Sequence, residues 1–181
     1  MSEISERYRT VAGRFTDLAR SVPEGGWDSP APCEGWVARD IVRHMVSWMP
    51  GFVLGNDGLA LAKPLSADDD PVRAWEVVSD AIQAALDDRE LATRPVGLGR
   101  SSVEDAVALY GIGDVLVHTW DLARATGLDE ALDANEVHRL VETMESLFED
   151  LRASGQFGAR VDVAADADDQ TRLLAFTGRR P

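Results

Sequence analysis

An all-α fold, a bundle of helices around one core, is what this sequence predicts. Apolar residues recur at helical spacing through five long segments. Loops rich in Gly and Pro separate those segments, and most of the loops are short, which favours antiparallel neighbours in a bundle.

The first helix is expected over 2–21, with Ile4, Tyr8, Val11, Phe15 and Leu18 on one stripe and Val22-Pro23-Glu24-Gly25-Gly26 as its stop. A loop follows, in which Trp27 and Trp36 are expected to tuck against the core. The second helix spans 37–53 and buries Val37, Ile41, Met45 and Trp48, with Pro50 weakening or kinking its end. Residues 55–70 form a polar connection. The third helix begins near Pro71, capped by Asp70, and runs to about Leu91. A loop holding Pro95, Gly97 and Gly99 leads to the fourth helix. That helix is capped at Ser101 or Ser102, carries acids in its first turn, and closes at Gly127. A fifth helix runs over 133–153 with Val137, Leu140, Val141, Met144, Leu147, Phe148 and Leu151. The tail holds a short strand-like segment at 160–163 and a last helical stretch over 169–176.

A chain of 181 residues holds one domain with a full core, and a second would be cramped. Residues 1–181 are therefore expected to form a single domain, with 155–181 as a C-terminal extension. No apolar run reaches the length of a membrane span. The start lacks the basic and apolar regions of a secretory signal, so a cytoplasmic location is expected. Cys33 is the one cysteine, which excludes an intrachain disulfide. A formal net charge of -14 repels phosphate backbones and anionic lipid, so neither nucleic acid nor membrane is expected as a partner.

With three histidines in the chain, their placement is informative. Asp114 and His118 stand four apart in the fourth helix, one turn apart on a stripe that otherwise reads Val107, Tyr110, Val117 and Leu122. A carboxylate and an imidazole on a core-facing stripe need partners, and a divalent cation satisfies both. His44, between Ile41 and Trp48, offers a third ligand from the second helix. Three protein ligands leave a fourth position for water or substrate. The bland alternative is an ion pair between Asp114 and His118, with His44 a boundary residue. In that case the protein is a structural homodimer without metal.

The words around these residues are more specific than their spacing. Pro32-Cys33-Glu34-Gly35-Trp36 followed by Arg39-Asp40-Ile41 and His44-Met45 resembles the "PCEGW…RDL…HL" segment of the mycothiol-dependent maleylpyruvate isomerase N-terminal family, within the DinB-like superfamily. Asp114-Val115-Leu116-Val117-His118-Thr119-Trp120-Asp121-Leu122-Ala123-Arg124-Ala125-Thr126-Gly127 resembles that family's "(E/D)xxxHxWDLARATG" segment. The ending Thr177-Gly178-Arg179-Arg180-Pro181 is similar to the tail of one actinobacterial subfamily. The resemblance implies a DinB-like up-down-down-up four-helix bundle. It also implies a metal, commonly zinc, bound by His44, Asp114 and His118, and mycothiol or another low-molecular-weight thiol acting as nucleophile on a small electrophile. The isomerases carry Glu at the position of Asp114 and a separate C-terminal domain. The resemblance therefore points to a thiol S-transferase or isomerase of other specificity, with a non-catalytic ligand-binding or regulatory module as the alternative. A homodimer stays open as the assembly.

Three further residues have two readings each. Asp121 orients a ligand or has a helix-surface or packing role. Arg124 anchors an anion or forms a surface ion pair, the commoner case. Cys33 is a reactive thiol or, more in keeping with its tight turn, a structural one. His138 sits among charges and is expected to be exposed. The acids at 166–169 lack the spacing of a calcium loop and read as a solvated surface.

Overall fold

The computed structural model describes residues 2–55, 65–96, 101–153 and 158–181. Parts of the expected 55–70 connection and of the Gly97/Gly99 loop lie outside the described residues, as do the side chains of Leu147, Phe148 and Leu151. The chain forms two compact units, Met1–Glu130 and Ala131–Pro181.

The first unit is a bundle of four main helices: α1 (Glu3–Arg20), α2 (Ala38–Val53), α3 (Pro71–Asp87) and α6 (Ile112–Thr126). Two single turns, α4 (Arg89–Ala92) and α5 (Val103–Ala106), lie between α3 and α6. A π-helical turn, Val107–Gly111, joins α5 to α6. Both α1 and α2 pack on α3 and on α6. The tie points fix the directions. Ser5 and Arg9, early in α1, bond Asp87 at the end of α3, while Arg20 at the end of α1 bonds Glu76 near the start of α3. Those two helices are antiparallel. Arg39 and Arg43 in the first half of α2 bond Asp68, just before α3, so α2 and α3 run the same way. His44 faces His118 and Trp48 faces Asp114, so α2 and α6 are antiparallel. The order is up, down, down, up.

Each helix buries most of the stripe its spacing announces, but Val37 and Trp48 are only half-buried and Tyr110, expected on the core-facing stripe, is exposed. Tyr8, Val11, Phe15 and Leu18 of α1 meet Trp75, Val78 and Ile82 of α3 in a closed core. Phe15 and Trp75 pack edge to face at 4.8 Å, and the Trp75 indole N–H donates to Thr16 Oγ1 at 2.9 Å. The ends are capped from the sequence. Ser2 accepts from Ser5 N–H and Asp70 from Arg73 N–H, with Pro71 in the first turn of α3. Asp40 accepts from Val37 N–H at the start of α2. Gly127, at φ 69°, closes α6 in a conformation that a side chain disfavours. The second helix runs on through Pro50 to Val53, although Pro50 has no N–H to give the Val46 carbonyl.

The backbone differs from expectation in four places. The fourth helix, expected unbroken up to Gly127, is interrupted by the π-helical turn Val107–Gly111. The third helix ends at Asp87, four residues early, because Asp88 caps a separate turn by accepting from Glu90 and Leu91 N–H. Pro95–Val96 pairs antiparallel with Ser101–Ser102 where a plain loop was expected. Residues 160–163 are not a strand, because Val161 N–H finds the Ala175 carbonyl at the end of a helix and no strand partner.

In the second unit α7 (Ala134–Ala153) packs on α8 (Asp169–Phe176). Asp133 accepts from Asn135 and Glu136 N–H to start α7, and Asp168 accepts from Thr171 N–H to start α8. His138, exposed as expected, pairs with Asp169 across the two helices at 2.7 Å. No described helix is long and apolar enough to cross a membrane.

The α1–α3 clasp has a measurable consequence. Ser5 Oγ donates to Asp87 at 2.6 Å, and Arg9 and Gln83 add to it, so the Asp87 carboxyl titrates below its ordinary range. The unfolded chain then binds the proton more readily. The contribution is complete above the ordinary carboxylate range and is lost as pH falls through the lowered value. The clasp is more than a third exposed and screened by solvent, so Asp87→Asn is expected to cost less than about 1 kcal/mol at neutral pH and little at pH well below the carboxylate range. Urea midpoints at both pH values read this directly, and an equal loss at both would exclude the ionised clasp.

Candidate metal centre

Three side chains converge between α2 and α6. His44 stands in the second turn of α2, and Asp114 and His118 stand one turn apart on α6. Because the helices are antiparallel, position 44 meets 118 and position 48 meets 114. The His44 and His118 rings lie 5.0 Å apart. His44 Nε2 is 3.7 Å and His118 Nε2 is 3.5 Å from the same oxygen, Asp114 Oδ1. One donor atom from each of the three lies within 4.8 Å of the others.

These separations are too long for hydrogen bonds. They are close to the edge, about 3.4 Å, of a tetrahedron with roughly 2.1 Å bonds, the length of zinc–nitrogen and zinc–oxygen bonds. The donor set, two imidazole nitrogens and a carboxylate oxygen, is that of a divalent first-row metal with an open position. The site is graded in exposure. The His118 side chain is 6% exposed and forms the floor, while Asp114 at 24% and His44 at 35% line the mouth.

Neighbours hold Asp114 and His118. The Trp48 indole N–H donates to Asp114 Oδ2 at 3.0 Å, which leaves Oδ1 turned toward the imidazoles. Burial pushes the Asp114 carboxyl up, but His118, His44 and the Trp48 N–H outweigh it and hold the group below its ordinary range. On the far side of His118, Nδ1 lies 2.8 Å from Oδ2 of Asp121, a fully buried carboxylate. That contact assigns the proton to Nδ1 and leaves the Nε2 lone pair facing Asp114 and His44. Asp121 also accepts from the Cys33 thiol at 3.6 Å. Asp121 is thus buried against His118 and does not lie on the surface.

The loop before α2 roofs the site. A turn from Cys33 to Trp36, closed by Trp36 N–H to the Cys33 carbonyl, places Gly35 at φ 77°. Ala31 N–H to the Trp36 carbonyl and Ala38 N–H to the Ser29 carbonyl tie the loop into a narrow hairpin-like closure. The turn sets Cys33 beside Asp121 and stacks Trp36 at 6.0 Å on His118 and 5.3 Å from His44. Trp36 and Trp48 as walls of the site were not read from the sequence. The PCEGW wording marked the loop, but nothing local says which ring an indole will cover. Arg124 does not reach the site; its guanidinium lies 4.6 Å over the Trp120 ring and its Nε pairs with Glu130 at 2.7 Å.

Comparison with known proteins bears on this geometry. The family model described as Mycothiol maleylpyruvate isomerase N-terminal domain matches residues 8–123, which include all three converging side chains. Two uncharacterized proteins of Mycobacterium tuberculosis, from strains CDC 1551 and H37Rv, are each 28% identical over 183 residues, covering 95% of this chain and 95% of the relative. No solved structure matches the chain.

The Asp121 contact predicts a tautomer. In the metal-free protein above the imidazole range, nitrogen-15 shifts of His118 are expected to report a proton on Nδ1. Asp121→Asn is expected to mix the tautomers while circular dichroism keeps its helical signature. An unchanged Nδ1–H tautomer in the variant would deny Asp121 its orienting role.

Proposed function

The chain belongs to the mycothiol maleylpyruvate isomerase N-terminal domain family, and from that premise we propose that it is a metal-dependent, thiol-using transferase or isomerase acting on a small electrophile. Zinc is the proposed metal and mycothiol the foremost thiol. The observation that carries the reading is the convergence of His44, Asp114 and His118, whose donor atoms lie within 4.8 Å of one another, with each imidazole Nε2 near tetrahedral-edge distance of Asp114 Oδ1.

The residues divide the work. His44 and His118 present Nε2, and Asp114 presents Oδ1, as the three protein ligands. Asp121 fixes the ring of His118, and Trp48 fixes the carboxylate of Asp114. Trp36 covers the imidazoles and limits access of water from the loop side. A divalent cation bound here would supply a lowered thiol pKa, so that the thiolate, the reactive form, is present at neutral pH. The side chains of His44 and Asp114 are partly exposed at the mouth, and the thiol and electrophile would enter there.

The test has two stages. Tag-free protein is expected to hold about one equivalent of zinc by elemental analysis. His118→Ala is expected to lose it with the helical signature kept, and acidification to release it as the imidazoles take up protons. The zinc form is then assayed with mycothiol and a panel of electrophiles, against His118→Ala. Conjugation or isomerisation that depends on both zinc and thiol supports the enzyme. Zinc retained with no turnover above the variant for any thiol favours a non-catalytic binding module. No zinc in the wild type refutes the reading outright.

A further inference from the structure

The metal ligands are one end of a longer feature. On α2, His44, Trp48 and Phe52 follow one another at four-residue steps, and on the facing helix His118, Asp114 and Tyr110 do the same in the opposite direction. Antiparallel packing turns these stripes into three rungs. His44 and His118 meet at 5.0 Å between ring centroids, Trp48 Nε1 donates to Asp114 at 3.0 Å, and Phe52 meets Tyr110 edge to face at 5.1 Å and 85°. The aromatic edge is unbroken along α2, with His44 to Trp48 at 6.2 Å and Trp48 to Phe52 at 5.6 Å.

Exposure rises along the ladder, from the buried His118 floor to Phe52 at 50% and Tyr110 at 40%. Two large rings held in contact with each other and left open to solvent, in continuity with a polar site, are a surface waiting for an apolar occupant. Both helices depart from regular geometry at this rung. Pro50 interrupts the hydrogen-bond ladder of α2 two residues before Phe52, and Tyr110 sits in the π-helical turn, an irregularity that recurs at functional sites.

We propose that this ladder is the subsite for the electrophile, and that the electrophile carries a flat aromatic or conjugated arm. Eight residues of helix separate the first rung from the third, so the arm would lie along roughly 12 Å from the ligands to Phe52 and Tyr110. The polar head occupies the end at His44, Asp114 and His118, and the arm stacks past Trp48 onto the Phe52–Tyr110 pair. This inference rests on the metal reading above, because the head is placed by the cation.

Two hydroxamic acids of different length separate the claims. Acetohydroxamic acid has a metal-binding head alone; biphenyl-4-carbohydroxamic acid adds a rigid flat arm. Calorimetric titration of the zinc-loaded full chain is expected to show the biphenyl compound binding at least about tenfold tighter. Phe52→Ser and Tyr110→Ser are each expected to remove most of that advantage and leave acetohydroxamate binding as it was. The biphenyl compound, and not acetohydroxamate, is also expected to shift the Trp48 indole N–H resonance. Both positions are exposed, and circular dichroism of each variant checks the fold. Equal affinity for the two compounds, with no effect of either substitution, overturns the ladder and leaves the metal reading intact. Failure of both compounds to prefer the zinc form over the apo form overturns the metal reading and this inference with it. A dimer in sedimentation velocity that Phe52→Ser dissolves overturns the ladder as well, by making the patch an interface between copies.

Discussion

Two imidazoles and a carboxylate can meet inside a helical bundle only if the helices that carry them are locked in register. Here the register of α2 against α6 is the constraint on which the site depends. It is set from both sides. Ile41, Met45 and Met49 of α2 and Ile112, Val115 and Leu122 of α6 are fully buried, so a slip of either helix would expose part of that apolar stripe. Trp48 and Asp114 add a directional tie at the middle rung. Positions four apart on one helix then face positions four apart on the other, and chemistry placed at 44, 114 and 118 is gathered without help from any loop.

Gathering polar groups there has a cost. Asp121 and His118 are buried, and an unpaired carboxylate at that depth would be strongly destabilising. The structure answers with hydrogen bonds in series: Cys33 and His118 both reach Asp121 Oδ2, and the Trp48 N–H reaches Oδ2 of Asp114. What these bonds leave over is specific. The second oxygen of Asp114 and the Nε2 atoms of both histidines share one small region at distances beyond hydrogen bonding. Orientation of the ligands is therefore built in before any ligand arrives, the usual condition for tight and selective coordination. The loop of residues 29–38 adds to this, because its Gly35 turn brings Cys33 to Asp121 and Trp36 onto the His118 ring.

Much of this was legible in the sequence, for physical reasons. Helical periodicity and caps such as Ser2, Asp70 and Gly127 act locally, so α1, α2 and α3 fall within a few residues of expectation and α6 closes at the expected glycine. Spacing put Asp114 and His118 on one face, and the PCEGW and WDLARATG wording tied them to His44. Asp121 was evenly balanced between a surface or packing role and an orienting one. Its position three residues after His118 fits both, and only the wrapping of α6 by the other helices buries it. The π-helical turn was invisible, because Val107–Gly111 reads as ordinary helix and the extra residue is accommodated by packing. The strand-like reading of 160–163 failed since two valines in alternation do not supply a partner strand. Trp36 and Trp48 depend on contacts across the bundle that no window of sequence contains.

The measurement that tests the central claim most directly is zinc-edge anomalous scattering from crystals of the zinc-loaded chain, combined with X-ray absorption of the same sample in solution. The account predicts a single ion with two nitrogen ligands from His44 and His118 and an oxygen ligand from Asp114, at about 2.0–2.2 Å, and a fourth light-atom ligand. An ion bound elsewhere, or one that engages His118 through Nδ1 with Asp121 and Cys33 in place of Asp114 and His44, would contradict it.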